Sequence, residues 1–130
     1  MIVVDASVLA VALGNDGTDG AHARQRLRGE VLAAPELIDP EVLSVLRRGV
    51  ASGAMTAHRG ALALADLLDL PLRRAPHRPL LRRCWELRHT VTSNDACYVA
   101  LAEILDVTLL TADRRLADAP GMQCSVEIVS

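Results

Sequence analysis

The first residues of the chain constrain its fold most strongly. Residues 2–4 are all β-branched, which favours a buried strand, and the carboxylate of Asp5 follows them directly. Residues 6–13 form an apolar run typical of a buried helix, so Asp5 lies where a strand ends and a helix begins. In open α/β sheets this end of the strands borders the ligand crevice. The sequence therefore predicts an α/β fold in which Asp5 faces a ligand or a metal ion.

Strand-like and helix-like segments alternate along the rest of the chain. Further strands are predicted at residues 31–34, 71–75, 107–111 and 124–129. Helices are predicted at residues 21–28, 36–50, 56–70, 79–89 and 92–105, with a short one starting near residue 114. Within the helix at 79–89, we expect Leu81, Trp85 and Leu87 to face the core. With a length of 130 residues, this alternation predicts a single domain over residues 1–130, a three-layer α/β sandwich with a mainly parallel sheet.

The basic residues restrict the chemistry. All 14 of them are arginines, which excludes a lysine-dependent phosphate loop and Schiff-base catalysis. The net charge is −2, yet residues 42–90 hold nine arginines against three acids. Solvated helix faces explain any one of these arginines, whereas their clustering favours a surface that contacts phosphates. The candidates for such contacts are Arg73, Arg74, Arg78 and Arg82.

Other composition features indicate the cell compartment. Three widely spaced cysteines are typical of buried, reduced thiols in a cytoplasmic protein. The apolar start lacks a basic leader and is interrupted by Asp5, so no signal peptide is expected. No uncharged apolar run is long enough to span a membrane. We therefore expect a cytoplasmic protein with no membrane association.

Four acids occupy positions where a surface charge is not ordinarily found. Glu41 interrupts an apolar helical face, Asp95 falls in the first turn of a helix, and Asp113, like Asp5, follows a strand. A ligand set made of oxygen alone suits Mg²⁺ or Mn²⁺ and metal-assisted phosphoryl chemistry. Each acid also has a structural interpretation: Asp5 and Asp95 as helix caps, Asp113 as a turn residue, and Glu41 as the partner of an arginine.

Four stretches carry a resemblance to a known family. Residues 3–7 (Val-Val-Asp-Ala-Ser), 40–43 (Pro-Glu-Val-Leu), 95–102 (Asp-Ala-Cys-Tyr-Val-Ala-Leu-Ala) and 110–116 (Leu-Thr-Ala-Asp-Arg-Arg-Leu) resemble the four motifs of PIN-domain ribonucleases. They occur in the family's order and cover nearly the whole chain. At this length the chain is most similar to the toxins of VapBC-type toxin–antitoxin operons.

The resemblance implies both an architecture and an activity. It implies a parallel five-stranded sheet, RNA cleavage by water with Mg²⁺ or Mn²⁺, a homodimer, and a cognate antitoxin that neutralises the protein. Two hydroxyls, those of Ser7 and Thr111, would position water or a phosphate. Catalytic and metal-binding roles would fall to Asp5, Glu41, Asp95 and Asp113.

The RNA-recognition mode follows from composition. Trp85 and Tyr98 are the only aromatic residues, which argues against a base-stacking platform. Recognition is then expected to rest on arginines, phosphates and RNA shape.

Two other functions remain open at this stage. A phosphatase of the haloacid dehalogenase type also ends its first strand with an aspartate, but it expects an acid where Ser7 stands and usually a lysine. A non-catalytic binding or assembly module with the same fold is the better interpretation if the four acids lie apart in space, or if the protein binds no divalent ion.

Overall fold

The protein is built on a five-stranded parallel sheet. The structure is a computed structural model and describes residues 1–129. The strand order is β3-β2-β1-β4-β5, and every neighbouring pair is parallel. The strands are β1 (Ile2–Val4), β2 (Leu32–Pro35), β3 (Arg73–Ala75), β4 (Leu109–Thr111) and β5 (Val126–Ile128). The predicted parallel sheet of five strands is confirmed, with the strand before Asp5 at its centre.

Helices cover both faces of the sheet. From β1 to β3 the chain steps one way across the sheet, and from β4 to β5 it steps the other way. Because parallel crossovers are right-handed, this reversal places α1 to α4 on one face and α5 and α6 on the other, as the predicted three-layer sandwich requires. The helices are α1 (Ala6–Gly14), α2 (Thr18–Leu27), α3 (Ile38–Ala51), α4 (Ala57–Asp69), α5 (Leu81–Glu86), α6 (Ser93–Leu105) and α7 (Arg114–Ala117).

The core lies between the central strands and the two helices that pack on them. Val3, Val4, Leu109 and Leu110 are fully buried because β1 and β4 are covered on both faces. Residues 96–102 of α6 are all buried, and α6 contacts β1, β2 and β4. Its alanines allow this close approach to the sheet. The strand β1 therefore lies in the most buried part of the molecule.

The helix α2 begins earlier than the sequence predicts. Residues 14–20 are rich in glycine and polar residues and were expected to form a loop, whereas α2 already starts at Thr18. The side chain of Asn15 explains this, because its Oδ1 accepts hydrogen bonds from the backbone N–H groups of Gly17 (2.8 Å) and Gly20 (3.0 Å). A side chain before the helix thus satisfies donors that the first turn leaves unpaired.

The predicted helix at residues 79–89 is wrong in its bounds and in the facing of Leu81 and Trp85, whereas Leu87 faces the core as predicted. A 3₁₀ turn over Arg78–Leu80 precedes α5, which ends at Glu86. The 3₁₀ turn has fewer residues per turn than an α-helix, so it rotates the residues that follow away from the predicted phase. Leu80, Cys84 and Leu87 are buried, while Leu81 is 53% and Trp85 68% exposed.

Three arginines connect elements through forked ion pairs. Each donates from Nε and Nη2 to both oxygens of one carboxylate, at distances of 2.6 to 3.1 Å. The pairs join α2 to β5, β3 to α3, and α5 to α6; they are Arg26–Glu127, Arg74–Asp39 and Arg83–Glu103. Among residues 1–129, no helix has the length and apolar character needed to cross a membrane.

Candidate active site

The sheet order places two of the predicted acids beside one crevice. The strand order reverses between β1 and β4, and in open α/β sheets the ligand crevice forms at that reversal, outside the carboxyl ends of the strands. Asp5 follows β1 and Asp113 follows β4 at the same edge. The neighbouring strands thereby bring together residues that are far apart in sequence.

Asp5 is buried and also caps α1. Its side chain is 7% exposed, and its Oδ1 accepts hydrogen bonds from the backbone N–H groups of Ser7 (3.0 Å) and Val8 (3.3 Å). The hydroxyl of Ser7 donates to the same oxygen, and the hydroxyl of Thr111 donates to Oδ2. Burial raises the pKa of Asp5 above its ordinary value, and these hydrogen bonds oppose that rise.

The hydroxyls of Ser7 and Thr111 connect Asp5 to the segment after β4. Ser7 Oγ accepts a hydrogen bond from the backbone N–H of Ala112, and Thr111 Oγ1 accepts one from that of Asp113, each at 3.1 Å. Each hydroxyl therefore donates to Asp5 and accepts from the backbone that carries Asp113. In this arrangement both hydroxyls hold the two aspartates in register.

Glu41 is held by two side chains from α6. Tyr98 donates its hydroxyl hydrogen to Glu41 Oε1 at 2.6 Å, and the Asn94 amide lies 3.5 Å from Oε2. Partial burial raises the pKa of Glu41, the Tyr98 hydrogen bond opposes the rise, and the nearby charges of Asp95 and Asp5 add to it. The alternative that Glu41 pairs with an arginine does not hold in the part of the chain that the structure describes, where no such ion pair is found.

Tyr98 is a site residue that the sequence analysis missed. Its side chain is 2% exposed, and its hydroxyl donates to Glu41. Burial and the neighbouring carboxylates raise the pKa of Tyr98, so its hydroxyl remains a donor. The available signal was its position three residues after Asp95, which puts both on one face of α6.

Asp95 and Asp113 line one cavity. The cavity has a volume of about 460 Å³, and Arg88, His89 and Arg115 also line it. The N-cap of α6 is Thr92, which accepts from the backbone N–H of Asp95 at 3.2 Å, so Asp95 itself is not the cap.

Asp113 is the N-cap of α7, whereas its structural interpretation from the sequence was a turn residue. Its Oδ1 accepts from the backbone N–H of Arg115 at 2.9 Å, at the start of α7. The guanidinium of Arg115 also binds its carboxylate and is the main cause that lowers the pKa of Asp113. The Arg115 side chain is 92% exposed, so this ion pair is held mostly in solvent.

The donor set fits a hard divalent cation. Asp5, Glu41 and Asp95 are close enough for their charges to interact, and Asp95 shares a cavity with Asp113. All four offer carboxylate oxygens, the ligands that Mg²⁺ and Mn²⁺ prefer. Within residues 1–129, no three Asp, Glu, His or Cys side chains form a finished cage, since Asp113 is turned to Arg115 and Asp5 to two hydroxyls. The residues fit such an ion by their chemistry.

The predicted phosphate-binding arginines differ in availability. Arg73, Arg78 and Arg82 are exposed, whereas Arg74 is engaged by Asp39. Two arginines outside the predicted set, Arg88 and Arg115, line the cavity of Asp95 and Asp113. Arg88 belongs to the basic stretch noted in the sequence, but nothing in its spacing distinguished it from the other arginines there.

Comparison with known proteins agrees with this geometry. The PIN domain family profile matches residues 2–122. The chain belongs to the PIN-domain family.

Individual relatives cover nearly the whole chain. Ribonuclease VapC1 of Mycobacterium tuberculosis is 44% identical over 98% of this chain and 96% of its own. Two solved structures share the fold at lower identity. Mycobacterium tuberculosis VapC20, a sarcin-ricin loop cleaving toxin, has a TM-score of 0.65 at 21% identity, covering 84% of this chain and 87% of its own. VapBC2 from Rickettsia felis, bound to a DNA fragment from its promoter, has a TM-score of 0.66 at 18% identity over 100% of both chains.

The burial of Asp5 predicts how stability depends on pH. Because the folded-state pKa is raised above the unfolded value, near 4, the native state holds more protons between these two values. The stability contribution of Asp5 is then fully present below the unfolded pKa and is lost as pH rises through the folded pKa. Asp5→Asn keeps the cap and removes the charge, so it should raise the Tm without metal, and increasingly so as pH rises through that window.

Thermal melts in EDTA from pH 4 to pH 8 measure this difference. The Tm of wild type should rise more than that of the variant when excess Mn²⁺ replaces EDTA, since only an ion bound to the native state stabilises it. A variant that melts lower than wild type in EDTA, with both proteins insensitive to Mn²⁺, would mean that Asp5 is only a structural cap.

The Tyr98–Glu41 hydrogen bond generates a second prediction. The hydroxyl of Tyr98 lowers the pKa of Glu41, so Tyr98→Phe should raise that pKa further above its ordinary value. Carbon-13 NMR titration of the glutamate carboxyl carbons measures the change. Asn94→Ala is the matched control and should shift the pKa less, because its contact is long at 3.5 Å. An unchanged Glu41 pKa in Tyr98→Phe would contradict the assigned hydrogen bond.

Proposed function

We propose that this chain is a cytoplasmic endoribonuclease that depends on a divalent ion, Mg²⁺ or Mn²⁺, and is the toxin of a toxin–antitoxin pair. The observation that supports the proposal is the strand-order reversal of a PIN-domain sheet, where Asp5 and Asp113 follow neighbouring strands, while Glu41 lies within electrostatic range of Asp5 and Asp95. The 44% identity to a protein named Ribonuclease VapC1 over nearly the whole chain supports the same reaction.

The four acids would share the binding of a divalent ion in the proposed reaction. A divalent ion held by these carboxylates supplies activation of water and stabilisation of the charge that develops on the phosphodiester. Asp5 is pre-oriented for this by Ser7 and Thr111, and Glu41 by Tyr98. Because both supports are buried or part-buried hydrogen bonds, the two carboxylates stay fixed while a substrate binds.

Arg115 has to give up its partner in this scheme. It binds Asp113 in the structure, and the Asp113 carboxylate would be able to hold a divalent ion only once that guanidinium released it. Such a displaced arginine remains beside the cavity, where a phosphate is a suitable new partner. The ion pair is highly exposed, so breaking it costs little.

The two rival functions fit the site less well. A haloacid dehalogenase-type phosphatase needs an acid two residues after its nucleophile, where this chain has Ser7, whose hydroxyl binds Asp5. A non-catalytic module predicts that the four acids lie apart, whereas Glu41 lies within electrostatic range of both Asp5 and Asp95. Calorimetric titration with Mn²⁺ further separates the nuclease from the non-catalytic module, since a non-catalytic module does not require the ion.

The proposal includes two protein partners. One is a cognate antitoxin, supported by the fold shared with the VapC component of a VapBC2 complex. The other is a second copy of the chain, as in the homodimer that the family resemblance implies. Light scattering on the purified chain, alone and with the product of the neighbouring gene, measures both assemblies.

Loss of any one acid should nearly abolish cleavage. Asp5→Asn, Glu41→Gln, Asp95→Asn and Asp113→Asn should each lower the rate of RNA cleavage by at least ~100-fold, since each removes several kcal/mol of charge stabilisation in the transition state. The assay is incubation of a structured RNA with purified protein in Mn²⁺, with an EDTA arm in which wild type should be inactive.

The matched control for these four variants is Asp106→Asn. Asp106 is an exposed aspartate at the C-terminal end of α6, opposite to Asp95, and its left-handed conformation (φ 53°) is one that asparagine tolerates. Asp106→Asn should keep wild-type activity. Full activity of Asp5→Asn in Mn²⁺ would refute the nuclease assignment.

The exposed arginines near β3 should contribute to RNA affinity through charge alone. Neutralising Arg78 and Arg82 together should weaken RNA binding and reduce the slope of log Kd against log salt by roughly 0.7 per lost single-strand phosphate contact. Arg47→Gln with Arg48→Gln removes the same charge from exposed positions on α3 and is the control. Equal slopes for wild type and the Arg78/Arg82 variant would mean that these two arginines are only solvated surface.

A further inference from the structure

A second cavity lies beside the acidic one. It has a volume of about 470 Å³ and is lined by residues of α5, the start of α6, and Leu37 and His77 from the neighbouring loops. Arg88 lines this cavity and the cavity of Asp95 and Asp113, so the two adjoin at that residue. Asn94, which also lines the second cavity, contacts Glu41. A ligand in the second cavity is therefore next to the acids.

Trp85 lies open in this cavity with one ring face fixed against an arginine. Its side chain is 68% exposed, and the guanidinium carbon of Arg88 lies 4.5 Å from the ring centroid. Arg88 Nη1 also donates to the backbone carbonyl of Trp85 at 2.9 Å, which fixes the guanidinium over the indole. A large apolar ring is thus held in a defined orientation while most of its surface remains exposed.

The polar residues of the cavity indicate the chemistry of its occupant. His77, Ser93 and Asn94 line the cavity together with an indole and a guanidinium, so polar groups interrupt the continuous apolar lining that a protein helix requires. His77 Nε2 accepts from the backbone N–H of Leu37 at 3.0 Å, so the imidazole is fixed in place. A flat ring with polar edges can stack on the indole, and a negative charge beside that ring can pair with the guanidinium of Arg88. A nucleobase with its phosphate has these properties.

We propose that the cavity of Trp85 and Arg88 binds one unpaired nucleobase of the RNA, next to the phosphodiester that is cleaved. The inference rests on the proposed function and names the part of the substrate that the site takes. Arg88 lies between the two cavities and contacts the intervening phosphate, while the base stacks on the indole. This proposal departs from the composition-based expectation, which argues against a base-stacking platform.

The single tryptophan of the chain makes the test direct. Trp85 is the only tryptophan, so its fluorescence reports on this cavity alone. Wild type in EDTA, which prevents cleavage, is titrated with a fluorescein-labelled single-stranded RNA of mixed sequence, and with a matched strand carrying abasic riboses. The RNA should quench Trp85, and the abasic strand should quench it much less. RNA binding itself is followed separately by the anisotropy of the fluorescein.

Substitutions separate the ring from the general surface. Trp85→Ala should weaken binding of the RNA by about 5- to 100-fold, the range observed when a stacking aromatic is removed. Trp85→Phe retains a ring and should recover most of that affinity. Ile104→Ala removes a comparably exposed apolar side chain from α6 and should bind like wild type. Because Trp85 lies outside the core, these variants should keep the wild-type Tm.

Each remaining outcome decides the inference. Binding by anisotropy without quenching, or equal quenching by the abasic strand, overturns the base subsite. Quenching that grows with protein concentration in the absence of RNA also overturns it, because a second copy of the chain then covers Trp85.

The proposed function fails separately, through the absence of cleavage by wild type in Mn²⁺. Cleavage with no base-dependent quenching leaves the nuclease and removes the subsite. Base-dependent quenching with no cleavage leaves the base subsite and removes the nuclease.

Discussion

The buried carboxylate of Asp5 is the group on which the rest of the site depends. It caps α1, accepts hydrogen bonds from the hydroxyls of Ser7 and Thr111, and follows the central strand of the sheet. Removing such a carboxylate from water is costly unless hydrogen bonds or cations compensate. Here the compensation comes from Ser7, Val8 and Thr111, so the loop after β4 and the start of α1 are fixed by the same charge.

In Asp5 a structural role coincides with the proposed catalytic role. The cap interpretation and the site interpretation were alternatives in the sequence, and the structure shows the cap, with Asp5 7% exposed at the end of β1. A cap uses one oxygen of the carboxylate chiefly, and the other oxygen retains an unused lone pair beside the Thr111 hydroxyl. One residue can therefore stabilise the fold and still face a ligand.

The sequence predicted the fold because its strands and helices have strong local patterns, and the same patterns singled out the acids as candidates. Continuous β-branched residues before Asp5 mark a strand buried on both faces, and Asp113 repeats that layout. The hydrogen bond of Tyr98 was not predicted, and the facing of Trp85 was predicted wrongly, because tertiary geometry sets both. Tyr98 gains its role from α3, which is distant in sequence, and Trp85 was turned outward by the 3₁₀ turn at Arg78–Leu80 that no periodicity indicated. The early start of α2 was likewise not predicted, because it depends on a hydrogen bond that the Asn15 side chain accepts from the backbone of Gly20.

The use of arginine alone has a consequence for the mechanical coupling of the fold. Arg26, Arg74 and Arg83 each bind a carboxylate with two nitrogens, and two of these forks anchor edge strands of the sheet. A lysine carries the same charge but offers a point contact without a planar fork. A chain recoded with lysine for arginine would keep its net charge, yet β3 and β5 would be free to pivot at the sheet margins. In this protein the guanidinium groups join secondary-structure elements to one another, in addition to carrying positive charge.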